Sequence, residues 1–293
     1  MTEHMPDHPA EIRYLDALNT YQFLTVEQFS RLGFGHPQSI RRRLRELSSG
    51  KKSVIGRYGD YKRPQHGKYP KKLHSIYFMT EYGARTLEAF QGLDEDSIAY
   101  RKCTKPPVSQ YFHHLNTIDF QIETIRFCAE KEIDLRFFHT YLDRSGSNRN
   151  SPPTERLKSR TRGLLDLYGE ETAFIPDVIF QAVVNDQYSS FYTAEIYNGY
   201  STDRVLRQLK KHVLALEQGV ISKAYSIEMG WRVLVVFDQE AAMRSVLRRV
   251  KDVLRLENPN RFFVFNTLDR IRKDFHSGWV HGDGSAGEVF IRR

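Results

Sequence analysis

Two carboxylates near the middle of the 293-residue chain have the setting that metal-assisted phosphate chemistry requires. Phe174-Ile-Pro-Asp-Val-Ile-Phe180 is a short apolar run that reads as a strand with Asp177 near its start, and Phe191-Tyr-Thr-Ala-Glu-Ile-Tyr197 reads as the next strand. Alternation along that second strand puts Glu195 on the face opposite Tyr192, Ala194 and Ile196. A carboxylate in an apolar strand is costly to bury, so it is paired, hydrogen-bonded or bound to a metal. With Gln181 to Ser190 turning the chain between the strands, the two acids can converge on magnesium or manganese and leave room for water and a phosphate oxygen. Such an ion would polarise a phosphodiester and help generate hydroxide, and a neighbouring cation would stabilise the developing charge. Pro-Asp is common at turns, so Asp177 carries this reading only together with Glu195.

Charge along the chain points to the same class of partner. The formal net charge is +8, and the segment from Arg41 to Lys72 holds twelve Lys/Arg against Glu46 and Asp60. The remaining thirty-two basic and thirty-four acidic residues leave the rest slightly acidic. A concentrated basic stretch neutralises phosphates and releases their counterions, which implies nucleic acid rather than an acidic membrane surface, because turn-forming residues interrupt any wide apolar face.

The elements that would position this charge follow from spacing and caps. Ile12, Leu15 and Leu18 recur at helical intervals, Thr25 and Gln28 fit a capping box opening a second helix, and Pro37 opens a third over Gln38 to Leu47. In that third helix Ile40, Leu44 and Leu47 turn inward while Arg41, Arg42 and Arg45 face out, where guanidiniums can meet phosphates or the O6/N7 edge of guanine. Strands are expected at Ser53-Val-Ile-Gly and Ser75-Ile-Tyr-Phe-Met, the latter leading into a helix capped by Thr80. Around the first strand and between the two lie Lys51, Lys52, Arg57, Lys62, Arg63, Lys68, Lys71 and Lys72, interleaved with tyrosines, Pro64 and Gly67. The order helix, basic helix, basic hairpin resembles the winged-helix module, whose wing touches the DNA backbone beside a groove-bound helix. A solvated basic loop beside a protein-interaction module is the plainer alternative.

Composition shifts place a linker over 92–110, separating an N-terminal domain at 1–91 from a second at 111–293. The second opens with a helix from Tyr111 to Glu130 whose buried stripe is Leu115, Ile118, Ile122 and Ile125, with His113, His114, Asn116, Asp119 and Glu123 on its polar side. A strand follows at Leu135 to Tyr141, then a polar basic loop from Arg144 to Arg162. Beyond Glu195, an amphipathic helix over Ser201 to Gln218 buries Leu206, Leu209, Val213 and Leu216 and sets Arg207, Lys210, Lys211 and His212 on its polar sides. Strands at Arg232–Phe237 and Arg261–Phe265 alternate with helices at Glu240–Leu254 and Leu268–Phe275, and Gly282-Asp-Gly284 suggests a closing hairpin. This order predicts an α/β, or overall α+β, protein: a winged helix-turn-helix followed by a mixed sheet flanked by helices.

With those residues in place, the chain resembles the plasmid replication-relaxation family and, more remotely, the C-class mobilisation relaxases. The resemblance implies a winged helix joined to a restriction-endonuclease-like core of the PD-(D/E)XK type, in which a helix bearing His and Asp precedes a Pro-Asp strand and a Glu-x-Asp strand. The matching residues are His114 and Asp119, Pro176-Asp177, and Glu195-Ile196-Tyr197, followed by a helix with a basic residue at Lys210 or Lys211. Tyr197 departs from the pattern, standing where a lysine or an acid is expected; related folds supply the lysine from a neighbouring helix, as Lys211 or Lys210 would here. As a phenol, Tyr197 is either a nucleophile or, preferentially, a packed aromatic. Of His113 and His114, one would contact phosphate or support a metal ligand and the other is a satisfied structural histidine.

Two readings follow. One is a cytoplasmic, metal-dependent DNA-nicking enzyme acting at a plasmid origin or mobile element alongside replication or mobilisation proteins. The other is a regulator whose inactive nuclease-like domain serves homodimerisation. An ATP-driven enzyme is disfavoured because no Gly-x-x-x-x-Gly-Lys-Ser/Thr loop occurs. A secretory signal is not evident at the start, and Cys103 and Cys128 are too few for a disulfide framework or zinc site.

Overall fold

A computed structural model describes residues 10–59, 73–100, 108–145, 158–184, 188–199, 201–227, 231–254 and 259–290. It has a mixed α/β architecture, and the chain divides into two compact units, Met1–Ile118 and Asp119–Arg293. The division falls inside a helix, later than the 92–110 segment that composition marks; Ile98 and Tyr100 of that segment are buried in the first unit.

The first unit runs α1 (Ala10–Tyr21), β1 (Phe23–Leu24), α2 (Val26–Arg31), α3 (Pro37–Leu47), β2 (Ile55–Tyr58), β3 (Ile76–Met79) and α4 (Glu81–Gln91). Local chemistry fixes the boundaries. Thr25 accepts from the Gln28 amide while the Gln28 side chain accepts from the Thr25 amide, completing the expected capping box. Pro37 occupies the first turn of α3 behind His36, whose ring accepts from the Gln38 amide, and Thr80 caps α4 through the Gly83 amide. The three strands form an antiparallel sheet in the order β1-β3-β2. Leu15, Leu18, Phe29, Ile40, Leu44, Ile55, Ile76 and Leu87 are buried at its core.

Helix α5 (Val108–Glu130) crosses the division between units. Of its expected polar side, His114, Asp119 and Glu123 are buried along with Ile118, Phe120, Gln121 and Ile122, and His113 and Asn116 are half-buried, as are Leu115 and Ile125 of the expected apolar stripe. A helix buried nearly all round has no apolar stripe for periodicity to find.

In the second unit β4 (Asp134–Thr140) is followed by β5 (Arg144–Ser145) and β6 (Lys158–Ser159), a two-residue ladder closing the ends of the segment expected to be loop. Next comes a hairpin absent from the sequence reading, β7 (Gly163–Leu167) and β8 (Glu170–Phe174), turned by Tyr168 and Gly169 at positive φ. Then β9 (Val178–Val184), β10 (Tyr188–Tyr197), α6 (Thr202–Glu217), α7 (Val220–Tyr225), β11 (Arg232–Phe237), α8 (Glu240–Leu247), α9 (Pro259–Phe262), β12 (Phe263–Thr267) and α10 (Leu268–Lys273) complete it. The single helix expected over Glu240–Leu254 ends α8 at Leu247 and continues as a 3₁₀ turn at Val250–Asp252. Around Gly282 the expected hairpin reduces to isolated bridges at Val280.

The main sheet has the order β12-β11-β10-β9-β4, antiparallel from β4 through β10 and parallel from β10 through β12. Alternation divides its side chains between two cores. Ile179, Phe191, Val233, Val235, Phe237, Phe263 and Phe265 pack with Leu206, Leu209 and Val213 of α6 and Met243 of α8. Phe180, Tyr192, Ala194, Ile196, Leu234, Val236 and Val264 pack with Phe120 and Phe127 of α5, Ile271 of α10 and the terminal Trp279 and Phe290.

Gly83 lets α4 approach the chain ahead of β2: a Cβ there would overlap the Val54 carbonyl oxygen. Gly to Ala within a helix ordinarily stabilises by about 1 kcal/mol. Gly83→Ala is expected instead to destabilise by roughly 1–3 kcal/mol through overpacking, measured as a lower urea midpoint.

Candidate functional site

Asp177 and Glu195 are brought together as the sequence suggests. The antiparallel register of β9 and β10 ends at Ala194 opposite Val178, so the next step sets Asp177 against Glu195. Asp177 is fixed from both sides: its carbonyl accepts from the Tyr141 amide at 2.8 Å, and its Oδ2 accepts from the Ile196 amide at 2.7 Å. Its carboxylate therefore grips the strand that carries Glu195. Thr193 and Glu195 point to the α6 side of β10 and are buried.

The group that meets Glu195 is His212. Its Nε2 lies 2.8 Å from Glu195 Oε1, and the imidazole is fully buried, edge-on to Phe174 at a ring separation of 4.9 Å. Burial lowers the His212 pKa to about 3, with Asp177 opposing the shift. The ring is thus neutral at physiological pH, and we assign the Nε2–H tautomer because the carboxylate oxygen needs a donor. That assignment leaves Nδ1, which has no hydrogen-bond partner among the described residues, as an acceptor rather than an orphaned N–H.

This corrects the sequence assignment of α6. His212 was expected on a polar side, yet it lies on the inward stripe with Val205, Leu209 and Leu216, at spacings of three and four residues. The signal was present in the heptad-like spacing and was hidden by counting histidine as polar. Lys210 and Lys211, expected to supply the missing lysine, are exposed, and the α6 side chain that reaches Glu195 is His212.

Tyr197 is half-buried on the same side of β10 as Glu195 and packs on Phe237 at 5.5 Å. Burial raises its pKa well above 10, and Glu195 and Asp177 push it further. The phenol stays protonated at neutral pH, which suits a packed aromatic or a hydrogen-bond donor and not a phenolate nucleophile. Asp238, at the end of β11, was not singled out from sequence. Its amide donates to the Tyr197 carbonyl at 3.0 Å, and burial raises its carboxyl pKa. These groups gather at the carboxyl end of parallel strands β10 and β11, where open α/β sheets place ligands.

His114 and Asp119 fall in different units. His114 belongs to the first unit, buried and stacked on Phe23 at 5.9 Å. Asp119 belongs to the second and pairs with Arg272. Magnesium or manganese takes hard oxygen ligands and keeps several waters, so two facing carboxylates suit it. Among the described residues no group of three or more His, Cys, Asp or Glu gathers to hold a metal, so any ion here would rest on Asp177 and Glu195 with water and phosphate oxygens.

The basic positions divide likewise. On α3, Arg41, Arg42 and Arg45 are exposed outside the buried stripe of Ile40, Leu44 and Leu47, while Arg43 is tied to Glu46 at 3.0 Å. Lys51 and Lys52 are exposed in the following turn, and Lys52 lies 6.0 Å from the Tyr82 ring centre. Arg57 is exposed on β2, and its Nε donates to Ser75 Oγ at 3.1 Å. Lys62, Arg63, Lys68, Lys71 and Lys72 lie outside the described residues. No described helix is long and apolar enough to cross a membrane. Comparison with known proteins returns no match: no family model, curated protein or solved structure is significantly similar to the chain.

Because His212 is neutral when folded and has an ordinary pKa when unfolded, the unfolded chain binds the extra proton between about pH 6.5 and 3. Stability is therefore present above pH 6.5 and lost as pH falls through that window. Replacing the ring in His212→Gln should flatten this dependence by up to about 1.4 kcal/mol per pH unit, read from urea unfolding in chelator at successive pH values.

Proposed function

We propose that the chain is a sequence-specific DNA-binding protein of a plasmid or mobile element, reading duplex DNA through α3 as a winged helix-turn-helix. The observation that carries this is the exposed side of α3, where Arg41, Arg42 and Arg45 stand clear of the buried stripe, with Arg57 of the adjoining hairpin lining the same cleft as Arg41 and Arg45. The order α1-β1-α2-α3-β2-β3 with a β1-β3-β2 sheet supports the winged-helix reading. In it α3 enters the major groove and the β2–β3 hairpin lies along the backbone.

The second unit supports a nuclease-like reading of the PD-(D/E)XK type. Helix α5, the antiparallel run β4-β9-β10, the crossover helix α6 and parallel β11 follow in the order such a core requires, and both acids fall on the central hairpin. On this reading the protein nicks one strand at its site, as a relaxase or replication-relaxation protein does. Magnesium or manganese, when bound, would supply Lewis-acid polarisation of the phosphodiester and an activated water. The chain's own contribution is to hold the two carboxylates at fixed separation, Asp177 through the Ile196 amide and Glu195 through His212. The proposed setting is the cytoplasm, with an origin region and replication or mobilisation proteins as partners.

A specific observation favours a second reading, a replication or transcription regulator in which this unit is inactive and serves homodimerisation. Tyr197 fills the position of the catalytic lysine, and the lysines of α6 are exposed while His212 engages Glu195.

Supercoiled plasmid carrying the native origin region separates the two. Nicking by wild type with magnesium or manganese, abolished by chelator and reduced at least a thousandfold in the Asp177→Ala, Glu195→Ala variant, is the expected result. Site binding without cleavage in either metal would leave the regulator.

A further inference from the structure

Between α3 and the β2–β3 hairpin lies a cleft of about 360 Å³ whose lining includes Arg41, Arg45, Ser48, Arg57, His74 and Ser75. Three guanidiniums on two different elements border one small space. Like charges are not gathered this way for stability, since they repel, and among the described residues the lining of the cleft includes no acid, Glu27 lying 3.4 Å from His74. Arg57 is held in place by Ser75, so its side chain is orientated before any ligand arrives. The volume suits a single tetrahedral anion and its water.

The helical positions sharpen the point. Successive residues turn by 100°, so Arg41 and Ser48 project from the flank of α3 that faces the hairpin, adjoining the buried stripe of Ile40 and Leu44. Gln38 and Arg42, one turn apart, project directly away from that stripe and are exposed. Arg45 stands between the two sets and still lines the cleft.

We propose that this cleft seats one backbone phosphate of duplex DNA, with Arg41, Arg45 and Arg57 as its clamp, and that Gln38 and Arg42 are the side chains of α3 that read base edges. The proposal rests on the DNA-binding reading above and divides its residues. Arginine forks match phosphate oxygens in a bidentate manner, and two donors flanking one phosphate fix the register of the helix in the groove. Gln38 and Arg42 have the amide and guanidinium forks that pair with adenine N6/N7 and guanine O6/N7. Register is set by the clamp, and sequence is read by the exposed pair.

The experiment uses the full chain in chelator, with duplexes selected from a randomised pool, and follows fluorescence anisotropy across a salt series. Arg41→Ala and Arg57→Ala should each weaken binding to every duplex alike, and the Arg41→Ala, Arg45→Ala, Arg57→Ala triple variant should reduce the slope of log K against log salt by about 0.9, the loss of one phosphate contact. Gln38→Ala and Arg42→Ala should instead flatten discrimination between selected and scrambled duplexes by roughly tenfold or more, the range of one bidentate base contact. Altered sequence preference in the single variants, with an unchanged salt slope in the triple variant, would overturn the clamp while leaving DNA binding intact. Absence of duplex binding by wild type at low salt would overturn the DNA reading and the clamp with it. Thermal stability in inorganic phosphate against chloride at equal ionic strength separates the two sources of the anion. No shift is expected, and a rise in Tm lost in Arg57→Ala would assign the cleft to a free anion instead.

Discussion

The second unit depends on one buried polar contact, Glu195 to His212, between the centre of a five-stranded sheet and the helix that covers it. A carboxylate so placed must find a donor, and a helix crossing an otherwise apolar face must supply it without introducing a second charge. Neutral imidazole meets both conditions. The contact ties β10 to α6, and Asp177 ties β9 to β10 through the Ile196 amide, so three successive elements are registered by two polar contacts. The apolar faces of the sheet supply the driving force, while these polar contacts select one arrangement among the several that the same apolar residues would permit.

The first unit solves a different problem with short elements. Helices of six, eleven and eleven residues are marginal alone and hold through caps and a shared core. Thr25, His36 and Thr80 each satisfy an otherwise open amide at a helix start, and Phe29, Ile40, Leu44 and Ile76 bind the pieces. Because the core occupies one flank of α3, its remaining flank carries charge at little cost in stability, and that surface is the one proposed to meet DNA.

Much of this was legible in the residues. Caps and periodicity located α1 through α4, since Thr25-x-x-Gln28, Pro37 and Thr80 act within one helical turn and need no tertiary partner. Alternation located β10 and set Glu195 on its correct side. What escaped depends on distant chain: α5 is buried nearly all round, the β7–β8 hairpin has exposed Leu164 and Tyr168 that weaken its pattern, and His212 becomes a core residue only because Glu195 awaits it. A polar residue inside a stripe of Val205, Leu209 and Leu216 is better read as a partner for a buried charge than as a surface group.

Hydrogen exchange of the full chain, with and without a selected duplex in chelator, tests most directly the proposal that α3 and the adjoining hairpin meet duplex DNA. Slowed exchange concentrated in residues 37–48 and 55–58 is the predicted result. Bound duplex that leaves those residues unchanged and protects only residues 119–293 would contradict it.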